Sequence, residues 1–238
     1  MVSIAQRPSS ASVRDLLLVG LTFSSGAVDA ISYLALGKVF TAFMTGNLVF
    51  LGLHVAGEGS SNVIHVSVSI ATFAAGVYLS QQIVKPASGS AVWPRRVSVA
   101  LTAAVLAQAG FLAAWLSTSG RPSSGAGDLL VGLSALAMGM QSGAVRALGV
   151  AAVFTTAATA TLIVLAGDLG TGTPSAAERR RLAGVLVGLL AGAAAGALLL
   201  VHARPYAAVL PLVVTALVIA IAWIAFETPA GVPIPASR

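Results

Sequence analysis

Among its 238 residues the chain has no cysteine. Disulfides, thiol catalysis and thiolate-bound metals are therefore excluded. Charge is nearly as scarce, with 8% of residues Asp, Glu, Lys or Arg against roughly 25% in a soluble domain. Three histidines, His54, His65 and His202, stand apart near the ends of apolar segments and are read as interfacial. None shows the i, i+4 pairing of a helical metal site, so no metal or other cofactor is expected. The glycine-rich stretch 167–172 lacks the Lys-Ser/Thr of a phosphate loop, and no G-x-S-x-G elbow occurs. An intramembrane hydrolase needs a Ser–His pair or two carboxylates, and only one carboxylate lies deep in an apolar segment. The chain is not read as an enzyme.

What fills the chain instead is apolar sequence. Hydrophobic residues make up 57%, and the mean hydropathy is +0.95. The apolar runs are continuous and near twenty residues, which suits membrane-spanning helices of about 30 Å. A membrane β-barrel would alternate apolar and polar residues in segments of about ten. The net charge of +6 is scattered over short loops and tails. It marks topology rather than nucleic-acid binding, and the expected partner is the lipid bilayer.

The apolar segments fall near 14–36, 39–57, 63–84, 97–118, 128–148, 150–167, 182–202 and 206–226. Two stretches resemble each other. Val19-Gly20-Leu21 aligns with Val131-Gly132-Leu133, and Leu36-Gly37 with Leu148-Gly149, both at a spacing of 112. Thr45 and Leu48 align with Thr159 and Leu162 at 114, and Trp115 with Trp223 at 108. This divides the chain into a basic, disordered tail (1–13), a first membrane repeat (14–118), a connecting loop (119–127), a second repeat (128–226) and a Pro-rich tail (227–238). The expected fold is an all-α helical bundle from two pseudo-symmetric repeats.

Segments 39–57 and 150–167 are unusual, because each follows its predecessor with almost no loop and carries a polar break. Irregular backbone at membrane depth survives only where protein or a water-filled cavity satisfies it. If all eight segments cross, Lys and Arg divide seven against six between the two sides, which is no bias. If these two dip in and return, Arg7, Arg14, Lys85, Arg95, Arg96, Arg146, Arg179, Arg180, Arg181 and Arg238 share one side. Only Lys38, Arg121 and Arg204 take the other. Ten against three obeys the positive-inside rule and places both termini in the cytoplasm of a bacterial inner membrane. Each half then has three crossings and the halves are inverted, a plan shared by many secondary transporters. Six crossings with two re-entrant segments are favoured over eight crossings.

Asp29 is the deep carboxylate, within Gly26-Ala27-Val28-Asp29-Ala30. A charge at membrane depth costs at least about 2.5–3.5 kcal/mol, so it normally faces a cavity or a partner. A proton- or cation-coupling role fits, and so does a structural ion pair. Arg146 is the natural partner, although it stands near a segment end and equally suits snorkelling to the interface. Gln141 is the repeat counterpart of Asp29 at the same spacing of 112. In the break Met44-Thr45-Gly46-Asn47, Gly46 frees the backbone, and Thr45 or Asn47 caps a short helix from Leu48 to about Ala56. Thr155, Thr156, Thr159 and Thr161 offer a second, weaker break. Gly184, Gly188, Gly192 and Gly196 recur every fourth residue. That spacing allows close helix packing, inside the bundle or at a homo-oligomer interface.

Gly26-Ala27-Val28-Asp29-Ala30, Tyr33-Leu34, Leu36-Gly37, Phe40-Thr41 and Met44-Thr45-Gly46-Asn47 together resemble the YoaK family of bacterial membrane proteins. Gly139-Met140-Gln141, Arg146, Thr155-Thr156 and Thr159 are similar to that family's second half, except that Ala160 stands where a Thr-Gly pair is expected. The resemblance implies a multi-helix inner-membrane protein and brings no substrate. From the residues, the expectation is a small transporter or permease. Asp29, Tyr33, Thr45, Gly46, Asn47, Gln141, Arg146, Thr155 and Thr159 would surround an unidentified small solute. The alternative is a non-transporting scaffold, sensor or assembly protein with Asp29 sealed against Arg146.

Overall fold

A computed structural model describes residues 9–85, 91–150, 158–167 and 175–227. Eight α-helices are formed among them: α1 (Ser10–Ala35), α2 (Met44–Val55), α3 (Val63–Val84), α4 (Arg95–Ser117), α5 (Ser124–Arg146), α6 (Ala158–Gly167), α7 (Ala176–His202) and α8 (Val209–Ala222). No strand occurs among the described residues. Polar caps fix several starts. The Ser9 hydroxyl accepts from Ser12 N, Asn62 Oδ1 from Ile64 N and His65 N, and the Ser175 hydroxyl from Glu178 N. These bonds satisfy N–H groups that a helix leaves open. Because Ser9 caps it, α1 begins at Ser10, four residues before the apolar run.

Six helices are long and apolar enough to cross a membrane: α1, α3, α4, α5, α7 and α8 with its flanking turns. Helix α2, of 12 residues, and α6, of 10, reach only about 18 and 15 Å against a core of about 30 Å. Helix α2 therefore does not carry the chain across. Asn62 N donates to Gly37 O at 3.1 Å, and His65 Nδ1 lies 2.7 Å from Leu36 O. Helix α3 therefore starts at the end of the bundle where α1 stops. In the second half Val145, at the end of α5, and Leu182, near the start of α7, share one core cluster. There too the chain returns to the end it left.

The helices pair in a regular pattern. Helix α1 packs chiefly on α7 and secondarily on α8; α5 packs chiefly on α3 and secondarily on α4. Helix α2 lies on α3, and α6 on α7. Missing side chains set both main contacts. A Cβ on Gly192 would strike the Phe23 carbonyl, and one on Gly26 the Leu189 carbonyl. Across the other pair, a Cβ on Gly139 would strike the Phe73 carbonyl, and one on Gly76 the Leu136 carbonyl. Gly184, Gly188 and Gly196 face Val19 and Ala27. The glycine series thus packs inside the bundle, against α1.

Two apolar layers close the ends. Leu17, Leu18, Leu21, Val97, Leu101, Val145 and Leu182 fill one; Ile31, Leu36, Phe111, Trp115 and Leu130 fill the other. Polar side chains join helices between them. Ser24 pairs with Thr215 at 3.1 Å, which accepts from Gln108 at 3.3 Å. Small hydroxyls and amides of this kind hold membrane helices together where apolar burial gives no driving force. His65 is buried rather than interfacial, its Nε2 3.1 Å from Asp128 Oδ1. It links α3 to α5 as well as to the end of α1.

Candidate functional site

Asp29 stands six residues before the end of α1, about 9 Å along the helix. The chain then reverses at Gly37 and Lys38, with φ of 85° and 58°. Lys38 adopts a left-handed conformation that side chains resist. The reversed strand of chain runs back beside α1. Thr41 N and Ala42 N both donate to Asp29 Oδ1, each at 2.8 Å. The carboxylate thus takes up two backbone donors that helix α2 cannot satisfy. The Thr41 hydroxyl, fully buried, meets the Ser134 hydroxyl of α5 at 2.9 Å.

Asn47 holds the same turn from the other side. Its Oδ1 accepts from Phe40 N at 3.0 Å, and its Nδ2 donates to Phe40 O at 2.7 Å and to Ser69 Oγ at 3.2 Å. Ser69 also donates to Phe40 O, at 2.6 Å. Asn47 is therefore level with Ser69, six residues inside α3, and α2 runs from that depth back to the surface. Its N-terminus points into the bundle. The helix begins at Met44 rather than Leu48, after Phe43 and without a side-chain cap. The expected capping by Thr45 or Asn47 does not occur, because Asn47 is committed to Phe40. Thr45 is exposed in the first turn. Gly46 makes room for the Phe40 and Phe43 rings, which a Cβ would meet at 2.9 Å.

Beside Asp29 lies a cavity of about 550 Å³. Its walls come from α1 (Ser25, Gly26, Asp29, Ala30, Tyr33), the break (Phe40, Ala42, Phe43), the start of α6 (Ala158, Thr159) and α7 (Leu189, Ala193, Ala197). Small residues on α1 and α7 leave the space. Tyr33 stacks on Phe40, ring centroids 5.1 Å apart, and Phe43 meets Phe40 edge-on at 5.4 Å. Asp29 is half-buried and open to this space. Among the described residues no basic side chain lines the cavity or pairs with Asp29.

Of the residues expected around a solute, Asp29, Tyr33 and Thr159 line this cavity. Gln141 is fully buried one helix away, donating to Leu21 O at 3.1 Å and to Ser25 Oγ at 2.9 Å. Ser25, which it contacts, lines the cavity. Arg146 is exposed at the end of α5. Met138, level with Ser25 through a contact at 3.9 Å, is eight residues earlier, about 12 Å along the helix. Arg146 and Asp29 thus belong to different ends of the bundle and form no ion pair, and the scaffold reading's sealed pair is absent. Thr155 lies outside the described residues. Phe40, Phe43 and Ser25 were not anticipated as wall residues; an aromatic pair flanking Thr41-Ala42 beside a polar break is the only signal that marks two of them.

A family model for proteins of unknown function, DUF1275, matches residues 17–222. The chain belongs to the DUF1275 family. It is also similar to the UPF0700 transmembrane protein YoaK of Bacillus subtilis (strain 168), with 34% identity over 166 residues, which is 68% of this chain and 69% of that protein. No solved structure matches. The matched span covers Asp29, the break and the whole cavity wall of this DUF1275 protein, which is a multi-pass helical membrane protein. Chemically, the described residues of the site offer one carboxylate, aromatic rings and a few hydroxyls. Such a site can attract positive charge or exchange a proton.

Proposed function

We propose that this DUF1275 protein is a small secondary transporter of the bacterial inner membrane, moving a small solute through the cavity beside Asp29. One observation carries the reading: the cavity wall is shared between α1 and the break of the first half and α6 and α7 of the second. Solute sites at the junction of two repeats, formed by broken helices, are what alternating access requires.

The packing supports an inverted repeat. Gly26 on Leu189 corresponds to Gly139 on Phe73, and Phe23 on Gly192 to Leu136 on Gly76. The spacing is 113 between first helices and 116 between third helices in both pairs. This register pairs Asp29 with Ser142, one residue beyond the Gln141 suggested by the sequence alignment. The chemistry of the halves stays unequal. Arg14, Lys85, Arg95, Arg96, Arg146, Arg179, Arg180 and Arg181 gather at one end, and Lys38, Arg121 and Arg204 at the other. Eight against three supports a cytoplasmic side for the first end.

In this reading Asp29 couples transport to a proton or cation. Proteoliposomes are challenged with a solute panel, with and without an imposed proton or sodium gradient. Gradient-driven uptake is expected for the wild type and lost in Asp29→Asn. Equal uptake by both proteins removes the coupling role; no uptake of any solute under either gradient removes the transporter reading.

A further inference from the structure

Building on the transport reading, we propose that the cavity selects a small apolar monocation, an organic amine or onium ion with a compact hydrocarbon body. The argument rests on what the wall offers and what it withholds. Of fourteen lining residues only Ser25, Asp29, Tyr33 and Thr159 carry polar side-chain atoms. Among the described residues Asp29 is the one formal charge, and no Arg, Lys or His lines the space. An anionic solute would lose its water against a carboxylate with no compensating cation, which is strongly unfavourable. A sugar or other polyol would need a hydrogen-bond partner for each hydroxyl, and the Ser25 hydroxyl already donates to Leu21 O at 3.2 Å.

A cation with an apolar body meets none of these obstacles. Its charge faces Asp29. Its body meets Leu34, Ala193, Ala197 and the rings of Tyr33, Phe40 and Phe43. Aromatic faces attract cations, more so once water is excluded. The volume of about 550 Å³ falls within the range of small-molecule sites, roughly 300–1,000 Å³. Of the exposed lining residues Leu34 and Phe43 are apolar, while Tyr33 and Thr159 bring one hydroxyl each. The ligand is thus recognised by one point charge within a hydrocarbon shape.

Three probes of one shape separate charge from body: benzyltrimethylammonium, its neutral carbon isostere neopentylbenzene, and the anion phenylmethanesulfonate. Binding to the purified full-length protein in detergent is measured by calorimetry. The ammonium ion is expected to bind about tenfold or more tighter than the neutral isostere, and the sulfonate not at all. Asp29→Asn should erase the cation's advantage while leaving the neutral isostere unchanged. Ala197→Leu, which fills the cavity without touching charge, should weaken both. Neutral or anionic probes binding as tightly as the cation, or no probe binding, overturns the ligand class. Transport of a polar or anionic solute would then leave the transporter reading standing. Conversely, a cation that binds as expected but is never moved by proteoliposomes sustains the ligand class and removes the transporter reading.

Discussion

Replacing Asp29 separates its two roles, because Asn keeps the acceptor and loses the charge, whereas Ala loses both. In the native protein Asp29 Oδ1 accepts from Thr41 N and Ala42 N at 2.8 Å. Ala42 is 2% exposed and Thr41 fully buried, so each N–H loses its acceptor in a poorly hydrated place if the carboxylate is removed. Each orphaned donor costs about 1–3 kcal/mol, or about 2–6 kcal/mol for the pair. At about 2–4 °C per kcal/mol for a chain of this size, Asp29→Ala should lower the melting temperature in detergent by roughly 10 °C. Asp29→Asn retains Oδ1 but replaces charge-assisted bonds with neutral ones about half as strong. Its melting temperature should fall by only a few degrees. The measurement is tryptophan-fluorescence melting of the three purified proteins at one detergent concentration. An Ala variant that melts with the wild type refutes the pinning of the break by Asp29. An Asn variant as unstable as Ala shows that the charge itself, and not the acceptor, holds the turn.

Other residues give equally direct outcomes. Gly192→Leu places a side chain against the Phe23 backbone and should prevent α1 and α7 from packing, read as loss of a monodisperse peak in size-exclusion chromatography. Gly52→Ala, on an exposed position with nothing within 4 Å of the new Cβ, should be tolerated and stabilise α2 by about 0.5–1 kcal/mol. Arg146→Ala, at an exposed helix end, should leave melting and uptake unchanged; a loss like that of Asp29→Ala would show that the two residues work together. The absence of native cysteine permits single-cysteine mapping. Arg121→Cys should label with an impermeant maleimide in spheroplasts, and Lys85→Cys only after lysis; the opposite pattern would invert the orientation.

Much of the fold is legible in the chain because membrane helices are written in long apolar runs, which need no knowledge of partners. The re-entrant character of 39–57 is legible too, through charges: only with that segment returning do Lys85, Arg95 and Arg96 join Arg14. The start of α2 is not. Thr45 and Asn47 have the chemistry of helix caps, and nothing local says that Asn47 would reach back to Phe40 or that Asp29, twelve residues before Thr41, would take the free donors. His65 was similarly hidden, since its partners Leu36 and Asp128 are 29 and 63 positions away. Side-chain periodicity reports which face is buried, but long-range hydrogen bonds carry no local signature.

The polar residues at depth show why composition alone could not sort site from scaffold. Asn47, Gln141 and Asp29 look alike in sequence, as polar groups that the membrane penalises. They differ in what satisfies them. Asn47 is sealed and exchanges hydrogen bonds in both directions with one backbone unit, Phe40, so its replacement by any ligand contact would release the turn it holds. Gln141 is sealed as well and is directed at Leu21 and Ser25, within the α1–α5 contact. Asp29 gives two of the roughly four acceptor positions of a carboxylate to the backbone and borders the cavity with its half-buried side chain. Only this third arrangement lets one residue hold the break and still face open space. The same carboxylate touches the 41–42 turn and the space walled in part by α6 and α7.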